Sequence, residues 1–169
     1  PIKDLNEIVK KFDIQSLSKS SAKFSMESLK NLNENTIKLF TYAEINHKLK
    51  DINLNFRKES FWRFIKNNIS FIKEAKDWEG VITKINNAKE YDIDSNFIDI
   101  AINELPNDPF DEKTWDHWTA KINSKTGLKG KDLFMPLRLI LTGKSHGPEL
   151  KYLMPLFNRN EILQKLGKI

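Results

Sequence analysis

The period of the apolar residues constrains this chain more than any other feature. Apolar side chains recur three and four residues apart almost from end to end, and no run alternates β-branched with polar residues for long enough to make a half-buried strand. An all-α fold is expected. The first stripe is Leu5, Ile8, Val9 and Phe12. Residues 12–15 and 18–21 read as a loop, and Met26, Leu29, Leu32, Ile37 and Phe40 restore helical spacing. Phe56, Phe61, Trp62, Phe64, Ile65, Ile69, Phe71 and Ile72 form an aromatic-rich block expected to fill the core of a small helical bundle.

A length of 169 residues allows one domain or two small ones. Charge suggests two. Residues 1–78 carry 15 Lys/Arg against 10 Asp/Glu, residues 79–112 carry 2 against 9, and residues 113–151 carry 8 against 3. Asp77-Trp78-Glu79-Gly80 falls where the sign first changes and interrupts the spacing. Two small helical bundles, 26–78 and 79–169, are therefore expected after a leading segment 1–25. The last basic stretch interleaves cations with aromatic and bulky apolar residues, which suits phosphates and bases. The same lysines also suit plain solvation of helix faces.

Short helices are expected near 81–87 and 96–105, followed by a Pro/Asp loop at 105–109. Asp111 is a candidate N-cap. Trp115, Trp118 and Ile122 fall on one stripe that leaves Lys121 and Lys125 outside it, and Gly127 can end that helix in a left-handed conformation. After Lys129-Gly130-Lys131, residues Leu133, Phe134, Leu137, Ile140 and Leu141 make the next stripe, with Arg138 at its edge, roughly 100° from its centre. Pro136 should kink this helix and Gly143 end it. In Lys144–Leu150, Gly147 reads as an N-cap and Pro148 as the first residue of another helix. A helix start flanked by Lys144, His146 and Arg138 would offer free N–H groups to a phosphate or a base edge; an ordinary helix corner fits these residues as well. Residues 160–166 should form a last helix.

Motifs for independent catalysis are missing: there is no glycine-rich phosphate loop, Gly-x-Ser-x-Gly elbow or His-x-x-x-His pair. Asp92, Asp94 and Asp99 lack the glycine and terminal glutamate of a calcium loop, and His117 stands alone on a helix. With no cysteine, three scattered histidines and no apolar run of roughly 20 residues, a cytoplasmic protein without a membrane span or a metal is expected. The chain opens without methionine inside an amphipathic stripe, so it reads as part of a longer polypeptide.

The segment from Thr126 to Gly143, with its Gly-Leu-Lys-Gly and Met-Pro-Leu-Arg core and Leu-Thr-Gly exit, and the following His146-Gly147-Pro148-Glu149-Leu150, closely resemble the C-terminal signature of bacterial glutamyl-tRNA synthetases. Leu163–Leu166 resembles the family's distal end. Phe12-Asp13, residues 18–24, Leu29 and Leu32-Asn33 resemble the segment after its catalytic signature loop. Leu17-Ser18-Lys19-Ser20 only mimics the Lys-Met-Ser-Lys-Ser loop, which in the family lies upstream, as does the His-Ile-Gly-His motif.

The resemblance implies the anticodon-binding helical domains of a class I aminoacyl-tRNA synthetase. ATP with magnesium, the glutamate site and any zinc would belong to the catalytic domain, leaving no cofactor here and no activity for this part alone. The implied partner is the tRNA anticodon stem-loop, bound by a monomer, with no DNA or membrane partner. Matching positions are Arg138, Gly147, Pro148 and Leu150, with Lys144 and His146 beside them; Lys121, Lys125, Lys129 and Lys131 would add nonspecific attraction. Many relatives carry a threonine where this sequence has Gly147, so only backbone contact is expected there. A family arginine that separates glutamate from glutamine tRNA falls in the region of Arg57 and Arg63, without a motif to choose between them. A different class of reading is a helical protein-interaction module whose partner surface is Trp115/Trp118 and Phe61/Trp62.

Overall fold

The computed structural model describes residues 5–21, 23–56, 58–86 and 88–168, and among them it contains helices and turns and no strand. The α-helices are α1 (Leu5–Lys11), α2 (Met26–Leu39), α3 (Tyr42–Asp51), α4 (Glu59–Ile65), α5 (Ala75–Thr83), α6 (Ser95–Asn103), α7 (Glu112–Thr126), α8 (Gly130–Thr142) and α9 (Arg159–Lys165). Two 3-10 turns, Leu150–Tyr152 and Met154–Leu156, lead from α8 towards α9.

Local chemistry sets many of the helix ends. Thr41 with Glu44, Asp111 with Thr114 and Asn158 with Glu161 form reciprocal capping boxes at α3, α7 and α9, each satisfying donors that a first helical turn leaves unpaired. Gly127 at φ 72° and Gly143 at φ 67° end α7 and α8 in the left-handed region, where a Cβ would be strained. Pro136 lies inside α8, which continues past it to Thr142.

Buried side chains from Ile37 to Leu166 make one connected core. Its centre is Phe61, Trp62, Phe64 and Ile65 on α4, Trp118 and Ile122 on α7, and Leu137, Ile140 and Leu141 on α8. The Trp62 indole N–H donates to the Phe40 carbonyl and that of Trp118 to the Ala101 carbonyl, both at 2.9 Å, so these large rings are buried without an orphaned donor. The Phe61/Trp62 and Trp115/Trp118 clusters are therefore interior, and the reading of them as an exposed partner surface is corrected. At the C-terminal end Lys165 is buried, donating to the Lys84 carbonyl and lying 5.3 Å from the Phe157 ring centre. Burial lowers its pKa to about 8.

Residues 77–80 do not interrupt a helix, contrary to the sequence expectation. α5 runs through them, and Phe64, Ile82 and Leu137 on the two sides share the one core. A division of the molecule at 78/79 finds no support in the packing. Gly80 is exposed, where a helical glycine costs only about 1 kcal/mol. Glu79 is buried for a specific reason: Oε1 accepts from the Asn55 and Phe56 N–H groups, and Oε2 pairs with Lys76 at 2.9 Å. Burial pushes its pKa up, but the Lys76 ammonium and the two backbone donors outweigh that and hold it below the usual carboxylate value. The expected helix at 81–87 is the last turn of α5; Asn87, like Ala22 and Arg57, lies outside the described residues.

The N-terminal region differs. Leu5, Ile8, Val9, Phe12, Phe24, Met26 and Leu29 are 48–76% exposed. Leu17–Ser20 is an exposed turn in which the Ser18 and Ser20 hydroxyls meet at 2.6 Å. Among the described residues no helix is long and apolar enough to cross a membrane, and no group of three or more His, Cys, Asp or Glu could hold a metal ion.

Candidate nucleic-acid interface

Helix α8 is fixed by its buried side chains and offers its edge. Leu133, Leu137, Ile140 and Leu141 face the core, while Phe134 and Arg138, four residues apart, stand together on the rim of that stripe. Phe134 is 42% exposed, so its placement within the buried stripe is corrected. Its ring lies 6.0 Å from that of Trp115, which in turn meets Trp118 edge-on at 6.2 Å.

Arg138 is half-buried and half-satisfied. Nη2 donates to the Pro148 carbonyl at 2.9 Å, whereas Nη1 is buried without a partner. Burial lowers its pKa, but a guanidinium keeps its charge throughout the physiological range. It opens on a cleft of about 350 Å³ lined by Trp115, Asp116, Phe134, Leu150, Glu149 and Lys151, within the usual size of small-ligand sites. Glu149 and Lys151 pair at 2.8 Å. With two carboxylates set against two cations the cleft is poorly suited to phosphate. Aromatic walls and an unpaired, buried donor suit a flat uncharged group that carries an acceptor, which describes the edge of an unstacked base.

The corner after α8 departs from expectation. No α-helix starts at Gly147-Pro148; the chain instead enters the 3-10 turn Leu150–Tyr152, whose cap Glu149 makes no side-chain capping bond. The helix N-terminus expected beside Arg138 is therefore withdrawn as a source of N–H donors. The glycine has another cause: Gly147 has φ 140°, and a Cβ there would lie 2.5 Å from Trp78 Cη2. It admits the indole rather than capping a helix. Thr142 fastens the other side of the corner, its hydroxyl donating to the Arg138 carbonyl at 2.7 Å and accepting from the Lys144 N–H at 3.2 Å.

The remaining candidates separate into groups. Pro148 and Leu150 are buried; Leu150 lines the cleft, and Pro148 serves Arg138 through its carbonyl. Lys144 and His146 are exposed, with the Lys144 ammonium 5.5 Å from the Trp78 ring centre. Lys121, Lys125, Lys129 and Lys131 are exposed on α7 and at the start of α8, away from the cleft lining, as suits sequence-independent attraction of phosphates. Arg63 pairs with Glu112 at 2.6 Å and lies 5.3 Å from the Tyr152 ring centre, where Lys151 also approaches to 4.8 Å. Sequence reasoning missed Phe134 and Lys151 as parts of the site. The spacing of Phe134 to Arg138, one helical turn, was the signal available for the first.

Comparison with known proteins bears on this geometry. A family model described as an anticodon binding domain matches residues 64–169. Glutamate–tRNA ligase 1 of Rickettsia bellii is 37% identical over 166 residues, covering 98% of this chain and 37% of the relative. Glutamate–tRNA ligase 2 of Beijerinckia indica is 36% identical over 172 residues, covering 99% and 37%. The fold matches the crystal structure of a glutamate tRNA ligase from Elizabethkingia meningosepticum with a TM-score of 0.79 and 20% identity, over 96% of this chain and 36% of that one. The glutamate-tRNA synthetase of Elizabethkingia anophelis gives a TM-score of 0.78 at 20% identity, over 96% and 35%. The chain thus spans little more than a third of the length of these proteins.

Proposed function

This chain belongs to the anticodon-binding domain family, and from that premise we propose that it is the tRNA-reading, C-terminal part of a glutamate–tRNA ligase, in which the cleft around Arg138 receives an unstacked anticodon base. The observation that carries the reading is the divided state of the Arg138 fork. One nitrogen is tied to the Pro148 carbonyl, and the other is buried, unpaired and beside an aromatic wall. A free donor of that kind is costly unless a ligand completes it. The exposed lysines Lys121, Lys125, Lys129 and Lys131 supply attraction to the phosphates around it.

Joining glutamate to tRNA, with ATP and magnesium, is the work of the rest of such an enzyme in this reading. The parent enzyme acts as a cytoplasmic monomer, and its RNA contact is the anticodon stem-loop.

The test compares Arg138→Ala with Lys125→Ala in the 169-residue chain, titrated against a synthetic hairpin carrying a glutamate anticodon and hairpins with each anticodon base changed. Arg138→Ala should cost about 1–3 kcal/mol on the matched hairpin and relax preference at one position, whereas Lys125→Ala should weaken all hairpins alike and lower the salt slope by about one. Equal weakening of every hairpin by Arg138→Ala would make Arg138 a packing residue and overturn the assignment.

A further inference from the structure

We propose that Trp78 is a positioning residue for base reading: its indole fixes the Gly147-Pro148 backbone and, through the Pro148 carbonyl, the orientation of the Arg138 fork. The inference rests on the reading of Arg138 given above.

Trp78 lies on α5, far from the corner in sequence, and is held from three sides. Phe64, fully buried on α4, meets its ring edge-on with centroids 5.6 Å apart and an interplanar angle of 85°. Gly147 approaches it so closely that even a methyl group would overlap, the ideal Cβ falling 2.5 Å from Cη2. Lys144 lies over the ring at 5.5 Å. The indole is therefore a wedge between the core and the corner.

The next residue in the chain carries the consequence. Pro148 presents its carbonyl to Arg138 Nη2 at 2.9 Å, while Nη1 is buried without a partner. Where that carbonyl stands decides where the free nitrogen points. Glycine is the residue least able to hold its own backbone, so the place of Gly147 must be imposed by its surroundings, and the surface imposing it is Trp78. Base-edge hydrogen bonds tolerate displacement poorly, a shift on the order of 1 Å being enough to lose the geometry. Loss of the wedge should therefore appear as lost discrimination rather than as lost attraction.

The experiment is a double-mutant cycle in the 169-residue chain with Trp78→Ala, Arg138→Ala and the pair, alongside Trp78→Phe and Gly147→Ala. Each protein is titrated with the matched hairpin and with hairpins altered at each anticodon base, and folding is followed by circular dichroism. Trp78→Ala should relax preference several-fold at the same anticodon position as Arg138→Ala, and the pair should lose no more than Arg138→Ala alone. Trp78→Phe keeps a ring against Phe64 but lacks Cη2, the atom that meets Gly147, and should relax the same position to a smaller extent than Trp78→Ala. Gly147→Ala pushes a methyl group into the indole from the other side and must relax the same position, which keeps the idea testable if Trp78→Ala does not fold. Additive losses, or an unchanged preference in folded Trp78→Ala or Gly147→Ala, would overturn the proposal while leaving Arg138 as the reader. Arg138→Ala that weakens all hairpins alike would instead overturn the base-reading cleft and this inference with it.

Discussion

Helices α2 and α8 look alike in sequence and behave differently in the fold. Each has an apolar stripe at helical spacing. In α8 that stripe is covered: Leu133, Leu137, Ile140 and Leu141 are at most 3% exposed. In α2 the stripe runs Met26, Leu29, Leu32, Ile37, and only Ile37 is buried, at 1%, while Met26, Leu29 and Leu32 are 68%, 48% and 56% exposed. The helix is fastened instead by polar groups, the Asn33 amide donating to the Ser70 carbonyl and the Ser70 hydroxyl to Glu34. Its first half overhangs the bundle and, with Phe71, borders an open apolar groove of about 600 Å³. Periodicity tells which face of a helix requires cover. It does not tell what supplies the cover, and here α5, α7 and α9 pack on α8 while nothing among the described residues covers the start of α2.

The contrast can be broken most forcefully at α7, one of the three helices that pack on α8. Trp118 is fully buried and its indole N–H is satisfied by Ala101, so Trp118→Ala removes both a large packed volume and the partner of a buried carbonyl. A loss of about 3–5 kcal/mol is expected, read as a lower midpoint in urea-induced unfolding followed by circular dichroism. A loss below about 1 kcal/mol would mean that Trp118 does not anchor α7 in that cover.

Next in size is the clasp at Glu79, a polar counterpart of the same packing. Glu79→Ala leaves the Asn55 and Phe56 N–H groups without their acceptor and Lys76 with the Asn53 carbonyl in place of its carboxylate, at a cost of about 2 kcal/mol near neutral pH. Because the folded carboxyl is held below its usual value of 4.5, its contribution is fully present above that value and is lost as the pH falls through the lower folded value. The stability gap between wild type and variant should therefore narrow on acidification through that window. A gap that stays constant across it would show that the carboxylate charge plays no part.

Which features could be read from the sequence follows the same division between local and distant causes. The Asp111 cap, the Trp115/Trp118/Ile122 stripe, the glycine stops at Gly127 and Gly143 and the edge position of Arg138 are all decided within one or two helical turns, and each was legible. Gly147 was not. Glycine before proline fits the start of a helix, and only the approach of Trp78 from α5 reveals that the glycine makes room for a ring. Glu79 and Gly80 looked like a break because charge and glycine usually accompany one; the partners that satisfy the buried Glu79 carboxylate, the Asn55 and Phe56 N–H groups, lie more than twenty residues away. Phe134 looked like core because it is apolar and near the stripe, yet a position so close to Arg138 on the helix rim has to share its exposure.

The smallest expected effect bears most directly on α2. Leu29 lies on its stripe, is 48% exposed and borders the open groove with Met26 and Phe71. A serine there removes little buried apolar area and faces solvent already, so Leu29→Ser should change the unfolding free energy by no more than about 0.5 kcal/mol. The same change at Leu137, which is fully buried on α8, would leave a cavity and a hydroxyl in the core and cost several-fold more. The pair should be measured by urea unfolding at two protein concentrations well apart. If Leu29→Ser proves as neutral as expected at both, the start of α2 is uncovered in solution, as in the fold. If it destabilises by more than about 1.5 kcal/mol, and more so at the higher concentration, a second copy of the chain covers this face and the difference between the two helices lies in their partners alone.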